Sequence, residues 1–451
     1  MPTITSPTYD PTSTAQALAQ KYTAANQDSL TAQTKAASAT SGGLASLGSA
    51  ISAFQSSLYA LTGLNKTMSA QAATFSDTAM GSATASANAV AGTYSFFVER
   101  LASAHQISYS GIQGDAGGKF TLNAGSTAIS ISIAAGATPR DLAAAINAAP
   151  ANAGLVTASV ISTPDAAGTP IYELVLTAKN TGDANKITLT NDATTPAAWL
   201  AGKTANQLVP GQDALIHVGS ATGTPISQPT NTFNVIDGVK MTFTSTSTAP
   251  VTLTVGADSS ATQKNAQAFI DAYNKLRGSL DTLVAAGDPS KGVASGVFAH
   301  DAGIRALRER LVSLLHPAGG ASLAAYGILA AKDGTLSLKA DILNKKLASD
   351  PTGLDTLVGS TASAAPSGIA GALDTFLKGW NNSVSGQIKK RSAANDELQK
   401  TLVDRQAQLD TQYNAAYQRY LQQFTQLQKL QGAMQGNSSM FDALFSSSKS
   451  N

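Results

Sequence analysis

The chain has 451 residues, enough for about three domains and a sizeable buried core. Only 13% of its residues are charged, about half the usual share, and Ala, Ser, Thr and Gly take their place. A net charge of +2 leaves no electrostatic footprint for nucleic acid, and no basic amphipathic helix supports a membrane-surface role.

Cysteine is absent. That fits a chain that never needed thiols, and equally one that must stay unfolded and uncrosslinked during export. The start, MPTITSPTYDPTSTAQAL, has neither a basic region nor an apolar run, so no cleaved secretory signal is expected. The most apolar later window, around residues 311–331, is interrupted by His316, Pro317 and two glycines and is unsuited to spanning a bilayer.

The opening stretch to about Ser13 is rich in Pro, Ser and Thr and is expected to be disordered. A helical pattern follows to about Lys66, with Gly42 and Gly43 as an expected kink or break. Within it Leu44, Leu47, Ile51, Phe54, Leu58 and Leu61 recur at alternating steps of three and four, the spacing of a coiled-coil seam. No charged residue occurs from 36 to 65, so the outer faces of this helix are Ala, Ser and Gly. Such a seam suits a partner helix of an assembly or the interior of one subunit's bundle; its spacing serves both.

From about Thr74 the period becomes two. Tyr94, Phe96 and Val98 alternate, as do Ile129, Ile131 and Ile133, and IYELVLTA, KITLT, VKMTFTSTS and VTLTV read the same way. One helix interrupts the strands: Thr138 caps, Pro139 opens, Asp141 completes a capping box, Leu142 and Ile146 form the stripe and Pro150 ends it. Helical spacing returns at about Ser259, in Phe269, Tyr273, Leu276, Leu280 and Leu283 and then in Ile304, Leu307, Leu311 and Leu315. After a turn at DGTLSL, a last long helix is expected from about Asp374 to Gln435. Its seam holds Leu398, Leu402, Leu409, Tyr413, Ala416, Tyr420, Phe424, Leu427 and Leu430. If one long helix leads out and the other leads back, the β-rich part forms a head on a leg on the order of 75 Å long.

Motifs of catalysis are missing. His105, His217, His300 and His316 are far apart and in no metal-ligand spacing, so no metal is expected. AGKT at 201–204 resembles the tail of a phosphate loop, but Ala197 stands where its first glycine belongs. Asp183, Asp192, Asp213 and Asp237 lie in turn-rich segments, where Asp serves backbone geometry rather than paired acid–base work. No catalytic residue and no cofactor are expected.

Several segments resemble one family, the flagellar filament cap protein, also called hook-associated protein 2. AGTYSFFVERLASAHQI resembles that family's first head strand. GKFTLNAGSTAISISIAAGATPRDLAAAINAAPANAGLVTASVIS with IYELVLTAKNTGDANKITLT resembles the repeat shared by flagellins and hook-associated proteins. NTFNVIDGVKMTFTSTSTAPVTLTV with KNAQAFIDAYNKL, then YGILAAKDGTLSLKADILNKKLASDP and RYLQQFTQLQKLQGAMQGNSSMFDALF, resemble its return strand, helical region and C-terminal end. Residues 6–18, SPTYDPTSTAQAL, depart from the Ser-Gly-Leu-Asp-like start usual in the family.

The resemblance implies an α+β multidomain fold, with β-rich head domains inserted between N- and C-terminal long helices that form an antiparallel coiled-coil-like leg. The implied divisions are a terminal segment at 1–39, a leg helix at 40–75, and an inner head domain at 76–110 and 232–257. An outer head domain with the flagellin-type repeat takes 111–231, a helical leg domain 258–395, and a C-terminal coiled-coil helix and tail 396–451. It implies a secreted, non-enzymatic assembly factor at the tip of the flagellum, exported without a cleaved signal. Its implied partners are itself, in a ring of five or six subunits, flagellin, hook–filament junction proteins, and a type III export chaperone at the C-terminal region. Leu44, Leu47, Ile51, Phe54, Leu58 and Leu61 would then pair with Leu409, Tyr413, Tyr420, Phe424 and Leu427 in leg packing and self-assembly. The competing readings are a flagellin-like or junction protein, a secreted glycan or mucin adhesin, and a secreted hydrolase.

Overall fold

The computed structural model describes residues 10–112, 116–164, 166–317, 322–362 and 364–447. The chain folds as two compact units, one of residues 1–66 with 264–451 and one of residues 67–263.

Helix α1 spans Pro11–Thr62. The Asp10 carboxylate accepts from the backbone N–H groups of Thr12 and Ser13 at 3.1 and 2.9 Å, and Pro11 takes the first helical position, where its missing N–H costs nothing. Order therefore begins inside the stretch expected to be disordered; residues 1–9 lie outside the described residues. The helix also passes Gly42 and Gly43 without the expected break. Gly43 is there for packing: a Cβ on it would stand 2.9 Å from the Phe298 ring.

The inserted unit is mainly strand. Its first half runs β1 (Ala70–Phe75), β2 (Gly81–Ala85), β3 (Gly92–Arg100), β4 (Ala104–Ile112), β5 (Gly118–Ala124), β6 (Thr127–Ile133), helix α2 (Pro139–Ala148) and β7 (Val156–Pro164). The second runs β8 (Pro170–Thr181), β9 (Ile187–Asn191), β10 (Asn206–Val209), β11 (Ala214–Val218), β12 (Thr224–Gln228), β13 (Thr232–Ile236), β14 (Val239–Phe243) and β15 (Val251–Asp258). Two cores result. A five-stranded sheet, β1-β15-β3-β11-β12, and a three-stranded sheet, β13-β14-β2, enclose Phe96, Val98, Phe233 and Leu253, with Phe75, Phe96 and Phe233 5.2–6.3 Å from Phe243. The sheets β10-β4-β8-β7 and β6-β5-β9, with α2, enclose the second core, where Trp199 meets Tyr109 and Phe120 edge-to-face.

The alternations read from the sequence are the ones that bury. Phe96 and Val98 face the first core and Ile129, Ile131 and Ile133 the second. The capping box forms, Thr138 Oγ1 accepting from the Asp141 N–H and Asp141 accepting from the Thr138 N–H. Buried Asn152 ends α2 by donating to the carbonyls of Ile146 and Val156.

The chain returns to the first unit through α3 (Ser259–Val284), α4 (Ala302–Leu314), the hairpin β16 (Ile328–Ala330) and β17 (Leu336–Leu338), α5 (Ala340–Ser349), α6 (Gly353–Val358), α7 (Gly368–Asn381) and α8 (Gln387–Ser447). Ile304, Leu307, Leu311 and Leu315 are buried, and so are Phe269, Tyr273, Leu276 and Leu280; Leu283 is half-buried and Val284 takes its place. The single helix expected from Asp374 to Gln435 is two helices. Asn382 breaks it by accepting from the N–H groups of Val384 and Ser385 at 2.9 Å, a side-chain turn that competes with the helical pattern. Beyond that turn α8 runs to Ser447, twelve residues past the expected end.

Candidate assembly site

Helices α1 and α8 lie antiparallel: positions rise along α8 as they fall along α1. Asn395 donates from Nδ2 to the Ala37 carbonyl at 3.0 Å, Gln406 and Gln27 exchange amide hydrogen bonds at 3.0 and 3.2 Å, and Arg419 stacks over the Tyr22 ring. Leu30, Ala37, Leu402 and Leu409 make a small apolar cluster between the two helices. Ala15, Ala19 and Thr23 continue the buried line toward the start of α1.

The expected partners separate. Leu44, Leu47, Ile51, Phe54 and Leu58 are at most 2% exposed and Leu61 is half-buried, but they do not pair with Leu409–Leu427 as expected. Phe54 packs on Phe269 and Tyr273 of α3 at centroid distances of 6.5 and 6.4 Å. Gln55 donates to the buried Asp374 carboxylate of α7 at 3.0 Å, Asn381 donates to Ser52 at 2.7 Å, and Thr62 meets Thr361 at 3.2 Å. The physical reason is register: with Asn395 at Ala37, Leu402 falls opposite Leu30 and Leu409 opposite Thr23, so Phe54 and its neighbours in the 44–61 seam meet α3 and α7 instead. A period of three and four marks a face to be buried and names no partner.

On α8, Leu409 is buried, Tyr413, Tyr420 and Phe424 are half-buried, and Leu427 is 42% exposed. From Leu427 onward the stripe faces solvent: Leu430, Met434, Met440 and Phe441 are each about 60% exposed. On α1 the face opposite the seam exposes Ala45, Ser46, Ser49, Ala53, Ser56 and Ala60, without a charge.

Two features escaped the sequence reading. Counting back from Leu58 by sevens gives Ile51, Leu44, Ala37, Leu30 and Thr23, one buried line from residue 58 down to residue 23 of α1. Its lower part uses residues too small or polar to register as hydrophobic. The Gln27–Gln406 pair leaves no periodic signal at all.

The residues weighed for chemistry do other work. Lys203 donates to the carbonyls of Ser110 and Gly111, so AGKT is a strut rather than a phosphate loop. Asp213 accepts from the Asp183 N–H, and Asp192 from those of Thr194 and Thr195, as expected of Asp in turns. His105 is buried and accepts from the Ile187 N–H at 2.8 Å; burial holds its pKa below 6.5 against the opposing hydrogen bond of Gln207, with a smaller contribution from the charge of Lys186. Among the described residues no group of three or more His, Cys, Asp or Glu is placed to hold a metal, and no helix is long and apolar enough to cross a membrane.

Three family models match in chain order: flagellar hook-associated protein 2 N-terminus over residues 8–105, the flagellin hook IN motif over 119–180, and flagellar hook-associated protein 2 C-terminus over 211–436, half of the chain. The chain belongs to the flagellar hook-associated protein 2 family. The lateral flagellar hook-associated protein 2 of Vibrio parahaemolyticus is 30% identical over 80% of this chain and 82% of its own length. The B-type flagellar hook-associated protein 2 of Pseudomonas aeruginosa is 31% identical over 86% and 85%. Among solved structures, the D1-D2-D3 domains of the flagellar cap protein FliD from Escherichia coli match with a TM-score of 0.59 and 27% identity, covering 79% of this chain and 99% of that one. The hook IN motif falls on β5, β6, α2, β7 and β8, the part of the second core built around the capped helix.

Proposed function

We propose that the chain caps the distal tip of the bacterial flagellar filament as a homo-oligomeric ring that keeps flagellin from escaping and promotes its polymerisation beneath. The observation that carries this reading is the ordered family match over nearly the whole chain, joined to the structural match of 79% of the chain to the D1-D2-D3 domains of a flagellar cap protein. Family membership supports reading the chain as a structural component of the flagellum, outside the cell at the filament tip, and no catalytic role is proposed for it.

The finer parts of the reading follow from chemistry. Export without a cleaved signal, with a chaperone on the C-terminal region, suits a chain that lacks cysteine and ends in an exposed apolar stripe. Self-association uses the half-buried Tyr413 and Tyr420 and the exposed Leu427 of α8, and the small uncharged face of α1. Seam residues Leu44–Leu58 support it from inside by holding α1 on its bundle. A face without charge lets contacts with neighbouring subunits, junction proteins and flagellin slip and re-form, because each desolvated charge would cost several kcal/mol at every step. The head is read as an inner part, the first core of β1–β3 and β11–β15, and an outer part, the second core of β4–β10 with α2, in place of a division at 111 and 231.

Deleting the gene tests the reading. Cells with hooks but no filaments, flagellin monomer in the medium, and reversal on complementation are expected. Normal filaments in the deletion strain would refute the cap.

A further inference from the structure

His217 on β11 has an acceptor at each ring nitrogen. Nδ1 lies 3.0 Å from the carbonyl of Gly223, and Nε2 lies 2.7 Å from the Glu99 carboxylate. Neutral imidazole carries one N–H and one lone pair, so it satisfies one of these acceptors and turns a lone pair on the other; only the imidazolium donates to both. His217 is 9% exposed, with Phe97 edge-on against its ring, so water is poorly placed to serve the ring and the Gly223 carbonyl, whereas the Glu99 side chain is 47% exposed.

The backbone has been shaped around this arrangement. His217 sits opposite Phe97 in the β11–β3 pairing, and Glu99 is the extra residue where the register shifts between Leu215 and Ile216. A bulge at this point re-aims the Glu99 side chain across the strand. Gly223 closes the β11–β12 connection, where a Cβ would collide with the Val218 carbonyl, so this backbone is held with its own carbonyl toward the ring. The connection is otherwise tied by the Gly219 N–H to Ser95 and the Gly223 N–H to Ser220, each at 2.8 Å.

The charges around the ring are few. Neither β12 nor residues 219–223 carry an ionisable side chain, and β11 carries none besides His217. On β3 the charged groups are Glu99 and Arg100, and Arg100 is turned to the Asp213 carbonyl. The Gly223 carbonyl and then the Glu99 carboxylate raise the ring's pKa above 6.5, against the opposing effect of desolvation.

We propose that Glu99, His217 and Gly223 form a proton-dependent clasp on the β11–β12 hairpin, the open edge of the five-stranded sheet, closed while the ring is doubly protonated and released when it gives up one proton to solvent. The folded-state pKa is raised, so the clasp's contribution is complete below pH 6.5, the unfolded value. It is lost as pH rises through the folded value. This device is independent of the capping role and would operate in a chain of any function.

The experiment is an NMR titration of the full chain from pH 5 to 9, following the His217 ring and the exchange protection of the Gly219 and Gly223 amides, with His217→Gln and Glu99→Gln alongside. The expected result is a ring that titrates above 6.5 and protection that falls about tenfold through the same pH, as loss of one charge-assisted hydrogen bond would give. In His217→Gln the step is absent, and in Glu99→Gln it moves to lower pH. A ring that titrates at or below 6.5, or a protection step that persists in His217→Gln, would overturn the clasp.

Discussion

The two halves of α1 share one helix and one seven-residue line but are held by different means. From 44 to 62 the line is Leu, Ile and Phe, closed by the rings of α3 and by polar ties to α7. From 15 to 37 it is Ala, Thr and a single Leu, closed by α8 alone through four apolar side chains, a glutamine pair and the Asn395 bond to Ala37. Helix propensity differs little between the halves, so their stabilities are set by packing. The upper half is an anchor. The lower half is the more sparsely packed seam and is expected to open more readily.

The largest break in this comparison comes at the anchor. Phe54→Ala removes a buried ring between α1 and α3 and should cost about 3–5 kcal/mol, read as a lower denaturant midpoint for the helical unit. Leu409→Ala should cost about 2 kcal/mol, and its effect on amide exchange should be confined to residues 15–37 and the facing part of α8. If Leu409→Ala proved as costly as Phe54→Ala, the two halves would not differ as described. Gln406→Ala leaves Gln27 without its partner on α8 and should cost about 1 kcal/mol, an effect that should vanish when Gln27 is also replaced by Ala.

A smaller effect sharpens a second contrast, between the two β cores. Burial lowers the folded-state pKa of His105, so its unfolded form takes up a proton first as pH falls through 6.5. Stability of the inserted unit should therefore decline below pH 6.5, opposite in sign to the loss expected at His217 on the alkaline side. Melting curves between pH 5 and 7 in a His217→Gln chain isolate the acid limb, which should flatten when His105→Gln is added.

Much of this was legible in the residues. Tyr94, Phe96 and Val98, the Ile129 to Ile133 alternation and the Thr138–Asp141 box each state a local rule that the fold obeys, because a period or a cap depends only on neighbours in sequence. The helix–sheet–helix order and the quoted family segments likewise pointed to the family found. The partner of the 44–61 seam was not legible, since α3, α7 and α8 all offer compatible stripes and only the three-dimensional register chooses among them. Asn382 hid a helix break in one side-chain turn, and Gly43 looked like a weak point when it makes room for Phe298. In the proposed assembly surface, small residues contribute through what they omit, bulk and charge, and so leave no positive pattern.

The most direct test is amide hydrogen exchange along α1 in the isolated full chain. The account predicts that residues 44–62 exchange about a hundredfold more slowly, relative to their intrinsic rates, than residues 15–37, with the change falling near Gly42 and Gly43. Uniform protection from end to end would contradict it, and would mean that α1 opens as one piece.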